Sequence, residues 1–552
     1  MKLLRFAQNL LMKAIKSKCM NFQRILILCF FLILSITAKA QKNGVKYGSE
    51  GYSETINKGK DSFTRLVKNV WFDIEKENVK IKGDSALYYD KKGIMIVFGD
   101  VVITKNDTID ITSRRLNYYI DENKAELRNN VVYDDGEMRM TTNYLDYYMT
   151  TEDGHFFNGG KLVDDETTLI AREGFVVNAE DLIKFYKDVD LTNPEYQLLT
   201  DTLFYHRTTK IATTFGPTKT IMKNGEVVDA EKGGKFYTDK KNAQYTAGKI
   251  TTESYEIFGD ELYFDDLTQQ SRAKGNVKVI SEENDIIILG QEAATKKEKG
   301  ITKIWGNPVL KQAVDNDTLY LSADTLISID SEYDSLSRLL AFNNVKIYKS
   351  DMQGVSDSMA YMMQDSMIFF YHNPILWSEG NQIVADTIFM EIKNGKMDKL
   401  NMRNKAFTIN QDTVKNFNQI KGRNMTAYLK NDQMDKILVE GNGESIYFAV
   451  DDETLELIGM NKVLCSSMRI QFLNGEMNDI TFYKDPEGRF IPPHEIAEPE
   501  TRLKDFKWQI EKKPSMLDVL GKYYSSKTNT KTIDETLERP KPTLLEPEIK
   551  DN

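Results

Sequence analysis

The sequence predicts an all-β protein built from a repeated pair of strands, and three observations support this. A turn-then-strand phrase recurs along most of the chain, a second phrase rich in aromatic residues precedes most of its copies, and the composition suits strands. The 552 residues include 27 Tyr, 27 Phe and only 12 Pro. Aromatic residues are enriched in strands, whereas Pro interrupts them. The length is sufficient for one long repeat array.

The turn-then-strand phrase sets the period of the repeat. AKGNVKVI at 273–280 has counterparts in FGDVVI (98–103), RNNVVY (128–133), WGNPVL (305–310) and FNNVKIY (342–348). Most successive copies lie about 30 residues apart, a period typical of stacked repeats. The second turn residue of the phrase occupies these positions: Asp100, Asn130, Gly160, Asp188, Pro217, Asn276, Asn307, Asn344, Asn373, Asn404 and Asn442.

A second phrase, Leu-x-aromatic, precedes most of these copies. Each repeat is therefore predicted to contain two strands separated by turn residues, since Asn, Asp and Gly tolerate the positive φ angles of tight turns. The copies are ALYYD (86–90), RLNYYID (115–121), YLDYYM (144–149), TLFYH (202–206), ELYFDD (261–266) and DTIFME (386–391).

Alternation along a strand decides which side chains share a face. Val277 and Val279 point away from Lys278, and Leu87 and Tyr89 share a face. Two sets of strands, each with one apolar face, predict two sheets that face each other across an apolar interior, in the style of a jelly-roll or solenoid. A β-propeller, a parallel β-helix and an outer-membrane barrel fit the 30-residue unit and its polar outer positions less well.

The first forty residues predict a cleavable signal peptide (1–40). Basic residues precede the apolar run ILILCFFLILSI (25–36), which is shorter than the roughly 20 residues that a membrane-spanning helix needs. TAKA (37–40) supplies the small residues of a cleavage site, so we expect cleavage after Ala40 and export to the periplasm. A membrane anchor is the alternative, and Met20 is a second candidate start.

Removal of the signal peptide changes the charge and the cysteine content. Residues 1–40 contain seven basic and no acidic residues, so their removal changes the formal charge of the chain from −10 to about −17. Such an acidic chain is a poor candidate for nucleic-acid binding. Cys465 is the one cysteine after the cleavage site, so the exported chain has no intramolecular disulfide.

The remaining chain divides by character. The C-terminal stretch loses the repeat pattern; Leu503, Phe506 and Trp508 are predicted to cap the array, and a short helix is predicted around SMLDVLGKYY. The polar composition beyond it predicts disorder. The predicted domains are an N-terminal cap or lead segment at 41–80, repeats at 81–490 that form one array or two modules (81–310 and 311–490), and a capping segment with a polar tail at 491–552.

Motifs that carry catalysis are missing from the sequence. His155, His206, His372 and His494 lie in different repeats without metal-binding spacing, and no nucleophile elbow, phosphate loop or dinucleotide fingerprint occurs. We therefore predict no enzyme, no metal and no cofactor. Cys465 is interpreted as a packing residue. Paired carboxylates are interpreted as turn residues: Asp134–Asp135, Asp164–Asp165, Asp265–Asp266 and Asp451–Asp452.

Together, the signal peptide and the alternating copies resemble the OstA-like family, the organic-solvent-tolerance domains of lipopolysaccharide transport. These domains occur in the periplasmic bridge protein and in the periplasmic part of the outer-membrane translocon. The resemblance covers roughly 80–490. The matching phrases are ADTLISI (323–329), ADTIFME (385–391), FGDVVIT (98–104), AKGNVKVI (273–280) and VEGNGESIYF (439–448).

The resemblance implies an open, V-shaped two-sheet β-jelly-roll with lipid A acyl chains in its interior. It also implies partners: lipopolysaccharide, and other OstA-like or translocon proteins that pair through edge strands. The chain is longer than the simple bridge protein and lacks the translocon's barrel. The expected groove residues are the inward apolar set Leu87, Tyr89, Val101, Ile103, Val131, Tyr133, Leu203, Tyr205, Val277, Val279, Val345 and Ile347.

Three functions are therefore weighed. The favoured one is a periplasmic lipid-binding bridge that carries lipopolysaccharide or lipooligosaccharide towards the outer membrane. The alternative is a structural or scaffolding β-solenoid of the cell envelope without lipid cargo, which predicts a fully packed interior. An exported carbohydrate-active enzyme ranks last because the sequence offers no convergent cluster of charged residues.

Overall fold

The structure is a computed structural model. The predicted signal peptide and the tail after residue 525 lie outside the part of the chain that it describes. Within that part, no helix has the length and apolar character needed to cross a membrane. The described residues, with the side chains of 476 and 522–525 excluded, are 44–164, 166–265, 267–281, 285–314, 317–330, 337–393, 396–430, 433–451, 453–473 and 476–525.

The chain forms two compact units that divide after Lys187, within strand β11 (Leu182–Thr192). In the first unit each strand from β3 to β9 pairs antiparallel with the next, and β1 and β2 both pair with β3. The possible division of the repeats into two modules at residue 310 stays a prediction. The strands are β1 (Val45–Gly48), β2 (Tyr52–Ile56), β3 (Phe63–Ile74), β4 (Val79–Tyr89), β5 (Ile94–Lys105), β6 (Ile109–Tyr119), β7 (Lys124–Asp134), β8 (Arg139–Tyr148), β9 (Asp153–Asp164) and β10 (Thr167–Val177).

The second unit is also an antiparallel meander. In places two short strands in line take the position of one long strand, as β14 and β15 do between β13 and β16. Its elements are β12 (Tyr196–His206), β13 (Ile211–Met222), β14 (Val227–Ala230), β15 (Gly234–Tyr237), β16 (Asn242–Thr251), β17 (Glu256–Asp265), β18 (Gln270–Ser281), β19 (Ile286–Lys296), β20 (Ile301–Trp305), β21 (Val309–Val314), β22 (Asp317–Ser322), β23 (Thr325–Ile329), β24 (Arg338–Tyr348), β25 (Met352–Met362), β26 (Met367–Tyr371), β27 (Ile375–Ser378), β28 (Asn381–Val384), β29 (Thr387–Lys393), β30 (Lys396–Gln411), β31 (Phe417–Lys430), β32 (Gln433–Val450), β33 (Leu457–Leu473), β34 (Glu476–Tyr483), β35 (Glu487–Ile491) and the helix α1 (Met516–Ser525).

Short turns of 3₁₀ helix complete the secondary structure: Gly59–Asp61, Glu75–Glu77, Asp90–Lys92, Asn178–Glu180, Lys297–Lys299, Pro493–Glu495, Glu498–Thr501 and Ile510–Lys512. The predicted all-β class, with two strands to each repeat of about 30 residues, is confirmed. The element order shows strands that follow one another from Val45 to Ile491.

In most copies the recurring Gly/Asn phrase lies inside a strand and not between two strands, which corrects the sequence-based interpretation; in WGNPVL (305–310) it joins β20 and β21. FGDVVI falls within β5, where Gly99 has a φ of 89°, and in β7 the φ angles of Asn129 and Asn130 are 64° and 51°. The pairing register shifts at the same places. The left-handed residues therefore produce a β-bulge that bends the strand, and the chain reverses elsewhere.

The bends fold the strands of each unit into two layers. In an antiparallel meander the loop after β5 and the loop after β8 lie at opposite ends, and a flat strand of eleven residues would separate them by about 36 Å. In the first unit, however, Nζ of Lys105 lies 2.7 Å from Oε1 of Glu152 in the loop after β8. The two ends of the strands therefore meet. We call the side where they meet the mouth of the unit.

The C-terminal segment of the second unit, residues 492–525, packs along its strands. Leu503 is buried with Phe407, Ile409, Ile446 and Phe448, and Phe506 and Trp508 pack against the same cluster. Helix α1 adds Val519 and Leu520 to a cluster with residues of β19, β21 and β22. Because Ile287 and Leu289 alternate along β19 with the cavity-lining Ile286 and Ile288, the segment covers the outer face of the sheet.

Candidate functional site

The candidate site is the interior between the two layers of each unit. Side chains on both sides of a strand's bend point into this interior. In β5 these are Met95 and Val97 before the bend and Val101 and Ile103 after it, and all four are at most 1% exposed. The bend shifts the alternation so that both halves of the strand present their apolar side chains to the same interior.

Ten of the twelve predicted groove residues lie on these inward positions. Val101, Ile103 and Val131 are buried in the first unit, and Leu203, Val277, Val279, Val345 and Ile347 are buried in the second. Tyr133 and Tyr205 are half-buried and follow Val131 and Leu203 by two residues, which places them on the same face. The role of the set as a groove stays a prediction.

The structure places Leu87 and Tyr89 on the opposite face. Both are half-buried, whereas Ala86 and Tyr88, with which they alternate, are 1% and 6% exposed. The Tyr89 ring lies outside with Phe63, at 5.2 Å between ring centroids. The inward residues of β4 are therefore Ala86 and Tyr88, which repeat Leu116 and Tyr118 at a distance of 30 residues in the sequence.

The second unit contains a cavity of about 270 Å³ between its layers. This volume lies just below the roughly 300–1,000 Å³ of typical ligand pockets. Val279 is the one predicted groove residue that lines it. The other apolar lining residues were missed by the sequence analysis, although all but Met363 occupy alternating positions of their strands: Ile286, Ile288, Ile304, Leu310, Leu326, Leu339 and Met363.

Polar groups line the same cavity where the ends of the strands meet. They are Ser254, Tyr255, Ser281, Thr302, Ser328 and Asp330. Burial raises the pKa of the Tyr255 phenol, and the charges of Asp330 and Glu226 add to this, whereas the hydrogen bond with Thr302 opposes it. The phenol therefore stays protonated at neutral pH. The cavity thus combines an apolar floor with a polar rim at the mouth.

Polar contacts bridge the mouth of each unit. In the second unit, Nζ of Lys297 lies 2.7 Å from Oε1 of Glu226, whose side chain is 12% exposed. In the first unit, the Asn123 amide donates to Glu77 Oε1 at 3.2 Å and to Thr150 Oγ1 at 3.0 Å. Glu77 lies in the loop before β4, at the strand end opposite to the loops of Asn123 and Thr150.

Lys105 forms the most buried of the mouth contacts described here. It is 5% exposed, and its ammonium donates to the backbone oxygen of Met149 and, at 2.7 Å, to Glu152 Oε1. Both acceptors lie in the loop after β8. A buried ammonium with two acceptors on the facing layer ties the two layers together at this point.

Residues of metal-binding type do not converge in the described part of the chain. No group of three His, Cys, Asp or Glu residues there is suited to hold a metal ion. Asp134 and Asp135 accept backbone hydrogen bonds within their own turn, and Asp265 does so from Thr268. Burial raises the pKa of the Cys465 thiol. The second members of the other three carboxylate pairs, Asp165, Asp266 and Asp452, lie outside the described residues.

A comparison with known protein families supports the resemblance over part of the chain. The OstA-like protein family matches residues 49–201, which confirms the resemblance over that segment. Among solved structures, LptH of Pseudomonas aeruginosa, described as the LptA homologous periplasmic component of the conserved lipopolysaccharide transport device, is similar to this chain at 15% identity. The match covers 21% of this chain and 79% of LptH, with a TM-score of 0.19. No curated protein matches the sequence.

Proposed function

Because residues 49–201 match the OstA-like family, we propose that this chain is an exported lipid-binding bridge of the cell envelope. It would carry lipopolysaccharide or lipooligosaccharide through the periplasm towards the outer membrane. The acyl chains would lie between the two layers of bent strands, and the sugars would stay in water at the mouth. The chain would act as a carrier and not as an enzyme.

The cavity of the second unit is the observation that carries this proposal. Its apolar floor suits an acyl chain, and Ser254, Ser281, Ser328 and Asp330 at its rim suit the hydroxyl-rich end of a lipid. Each buried methylene contributes about 0.8 kcal/mol, so an acyl chain of about twelve carbons costs on the order of 10 kcal/mol to keep in water. A continuous apolar interior removes that cost along the route.

Edge strands support the partner part of the proposal. β2 pairs on one side with β3, and four of its five residues are exposed. In the second unit, β35 pairs with β33, and four of its five residues are exposed. Free edges of this kind accept a strand from another protein. We propose that OstA-like or translocon proteins dock there.

A scaffold without lipid cargo is the second candidate, because the interior of the first unit is filled by its own side chains. Phe72, Tyr118 and Phe185 are at most 1% exposed there. A lipid would have to displace side chains of this kind, whereas a scaffold would keep them packed. The two candidates therefore differ in whether lipid is bound in the native envelope.

The deciding experiment is lipid analysis of the protein purified from its native envelope as residues 41–552. Near-stoichiometric hydroxylated fatty acids with sugar-linked lipid A would support the transport function. A lipid-free protein that also fails to take up added lipopolysaccharide would instead support the scaffold. An exported periplasmic protein of matched size, purified in the same way, controls for carried-over membrane lipid.

A further inference from the structure

Lys105 occupies an unusual position for a lysine at the end of a strand. Lys105 is the last residue of β5 and is 5% exposed. Its ammonium donates across the mouth of the first unit to the backbone oxygen of Met149 and to Glu152. A lysine at a strand end usually extends into water, since burial of an ammonium is costly without close acceptors. Here both acceptors belong to the facing layer.

Entry of a ligand through this mouth would remove both acceptors together. Met149 and Glu152 lie in one loop, so parting of the layers takes the backbone oxygen and the carboxylate away from Lys105 in one movement. The nearby acid on the same layer, Asp107, is already paired with Lys80 at 3.0 Å. An uncompensated ammonium just inside the mouth would favour a ligand that brings its own negative charge.

Two buried hydroxyl groups lie below the same mouth. Tyr118 and Tyr147 are 0% and 2% exposed, and within the described residues neither phenol oxygen has a hydrogen-bond partner. Burial raises the pKa of both phenols, and the charges of Glu77 on Tyr118 and of Glu152 on Tyr147 add to the effect. Both therefore stay protonated donors. Unpaired buried hydroxyls of this kind are rare, because each costs free energy.

We propose that the mouth of the first unit binds a phosphomonoester that is attached to an acyl chain. The phosphate replaces Glu152 on the Lys105 ammonium and accepts a hydrogen bond from the Tyr147 hydroxyl, while the acyl chain enters between the layers. A phosphomonoester suits this set because it carries three acceptor oxygens and close to two negative charges at neutral pH. The inference rests on the proposed lipid-carrier function and adds the recognised head-group chemistry to it.

The test compares two lipids that differ only in the phosphate. Lysophosphatidate and the monoacylglycerol with the same acyl chain are titrated against residues 41–552 by calorimetry, and glycerol 3-phosphate provides the head group without a chain. We expect lysophosphatidate to bind about tenfold or more tightly than the monoacylglycerol, the effect expected of a hydrogen-bonded charge pair. Glycerol 3-phosphate is expected to bind far more weakly than either lipid.

Variants test whether the preference for lysophosphatidate over the monoacylglycerol arises at this mouth. Lys105→Met should remove the preference for lysophosphatidate, Lys105→Arg should retain most of it, and Tyr147→Phe should reduce it severalfold. Glu152→Gln should strengthen lysophosphatidate binding, because the competing carboxylate is gone. Arg114→Met is the control: it breaks the exposed ion pair with Asp100 at the bend of β5, away from the mouth, and should leave the preference unchanged. Circular dichroism and thermal melts confirm that each variant is folded.

The outcomes separate the two proposals. Equal binding of both lipids by the unmodified protein, or an unchanged preference in folded Lys105→Met, would overturn the head-group site and leave the carrier function standing. Failure of both lipids to bind would overturn the carrier function itself. Binding of glycerol 3-phosphate as tight as that of lysophosphatidate would show a site for free phosphate compounds and contradict the lipid assignment.

Discussion

Lys297 and Glu226 form an ion pair between opposite ends of the strands of the second unit, with Nζ and Oε1 2.7 Å apart. The first unit repeats the relationship with Lys105 and Glu152, also at 2.7 Å. Each pair joins two points of the chain that the antiparallel order assigns to opposite strand ends. A charge pair therefore ties the two layers at the mouth of each unit.

The mouth pair of the second unit should couple energetically. We expect a double-mutant cycle with Glu226→Gln and Lys297→Met to give a coupling free energy of about 0.5–1 kcal/mol, which should decrease as salt is added. Urea unfolding of the four proteins measures it. If the two substitutions are strictly additive at low salt, the pair does not hold the mouth together.

The bend in β7 should tolerate glycine and reject a β-branched residue. Asn130 has a φ of 51°, a left-handed conformation that costs a residue such as Val about 1–2 kcal/mol. Asn130→Val should therefore lower the free energy of unfolding by about that amount, whereas Asn130→Gly should be close to neutral. Denaturant unfolding checks both. Equal stability of the two variants would show that the left-handed bend does not constrain β7.

The C-terminal segment should depend on one buried amide. Gln419 is 0% exposed, donates to Thr501 O at 2.8 Å and accepts from Leu503 N at 2.8 Å. Gln419→Met leaves the Leu503 N–H unpaired and removes one of the two donors to the Thr501 oxygen, which also accepts from Arg502. It should therefore destabilise the protein by about 1–3 kcal/mol. Hydrogen exchange of the Leu503 amide should accelerate, while Gln433→Met, at an exposed position, should change neither quantity. An unaltered Leu503 exchange rate would contradict the role of Gln419.

Asp317 should make the second unit sensitive to acid. Hydrogen bonds from the Ser350 hydroxyl hold the pKa of its carboxyl below the usual range, with backbone bonds from Thr318 and Ser350 and the charge of Lys349 acting in the same direction. A carboxyl whose folded pKa is depressed stabilises the fold above its unfolded pKa of about 3.9 and loses that effect as the pH falls through the folded value.

The stability difference between the unmodified protein and Asp317→Asn should therefore be largest near neutral pH and shrink below about pH 4, where the unfolded carboxyl takes up its proton. Urea unfolding between pH 7 and pH 3 measures it. Asp351, which lies in the same region and is 62% exposed, serves as the control position through Asp351→Asn. A stability difference between the unmodified protein and Asp317→Asn that stays constant with pH would contradict the depressed pKa of Asp317.

Alternation and spacing predicted much of the interior. Val277, Val279, Val345 and Ile347 follow directly from the period of two along a strand, and the structure buries all four. Leu87 and Tyr89 were predicted to face inward because Leu87 matches the leucine of the Leu-x-aromatic phrase. The 30-residue spacing from Leu116 and Tyr118 indicates Ala86 and Tyr88 instead. This register is hard to recognise from the sequence because a small alanine stands at the position of the leucine.

The mouth and the C-terminal segment could not be read from these patterns. Alternation gives the face of a side chain, but it does not give the angle through which a bulge folds the strand, so contacts such as Lys105 with Glu152 have no local signal. Gln382 and Gln419 are both 0% exposed, although a glutamine between apolar residues of a strand predicts a side chain that faces the solvent. Their partners in the C-terminal segment, Lys507 and Thr501, lie more than eighty residues away along the chain.

Photo-crosslinking with a lipid that carries a diazirine at the end of its acyl chain tests the central claim most directly. The account predicts adducts on the cavity-lining strands that contain Val279, Ile288 and Leu310. These adducts should decrease in Val279→Phe, which fills the cavity, and persist in Lys274→Phe, which places the same ring at an exposed position of β18. Adducts confined to exposed side chains, or equal labelling in Val279→Phe, would contradict an acyl-chain site between the layers.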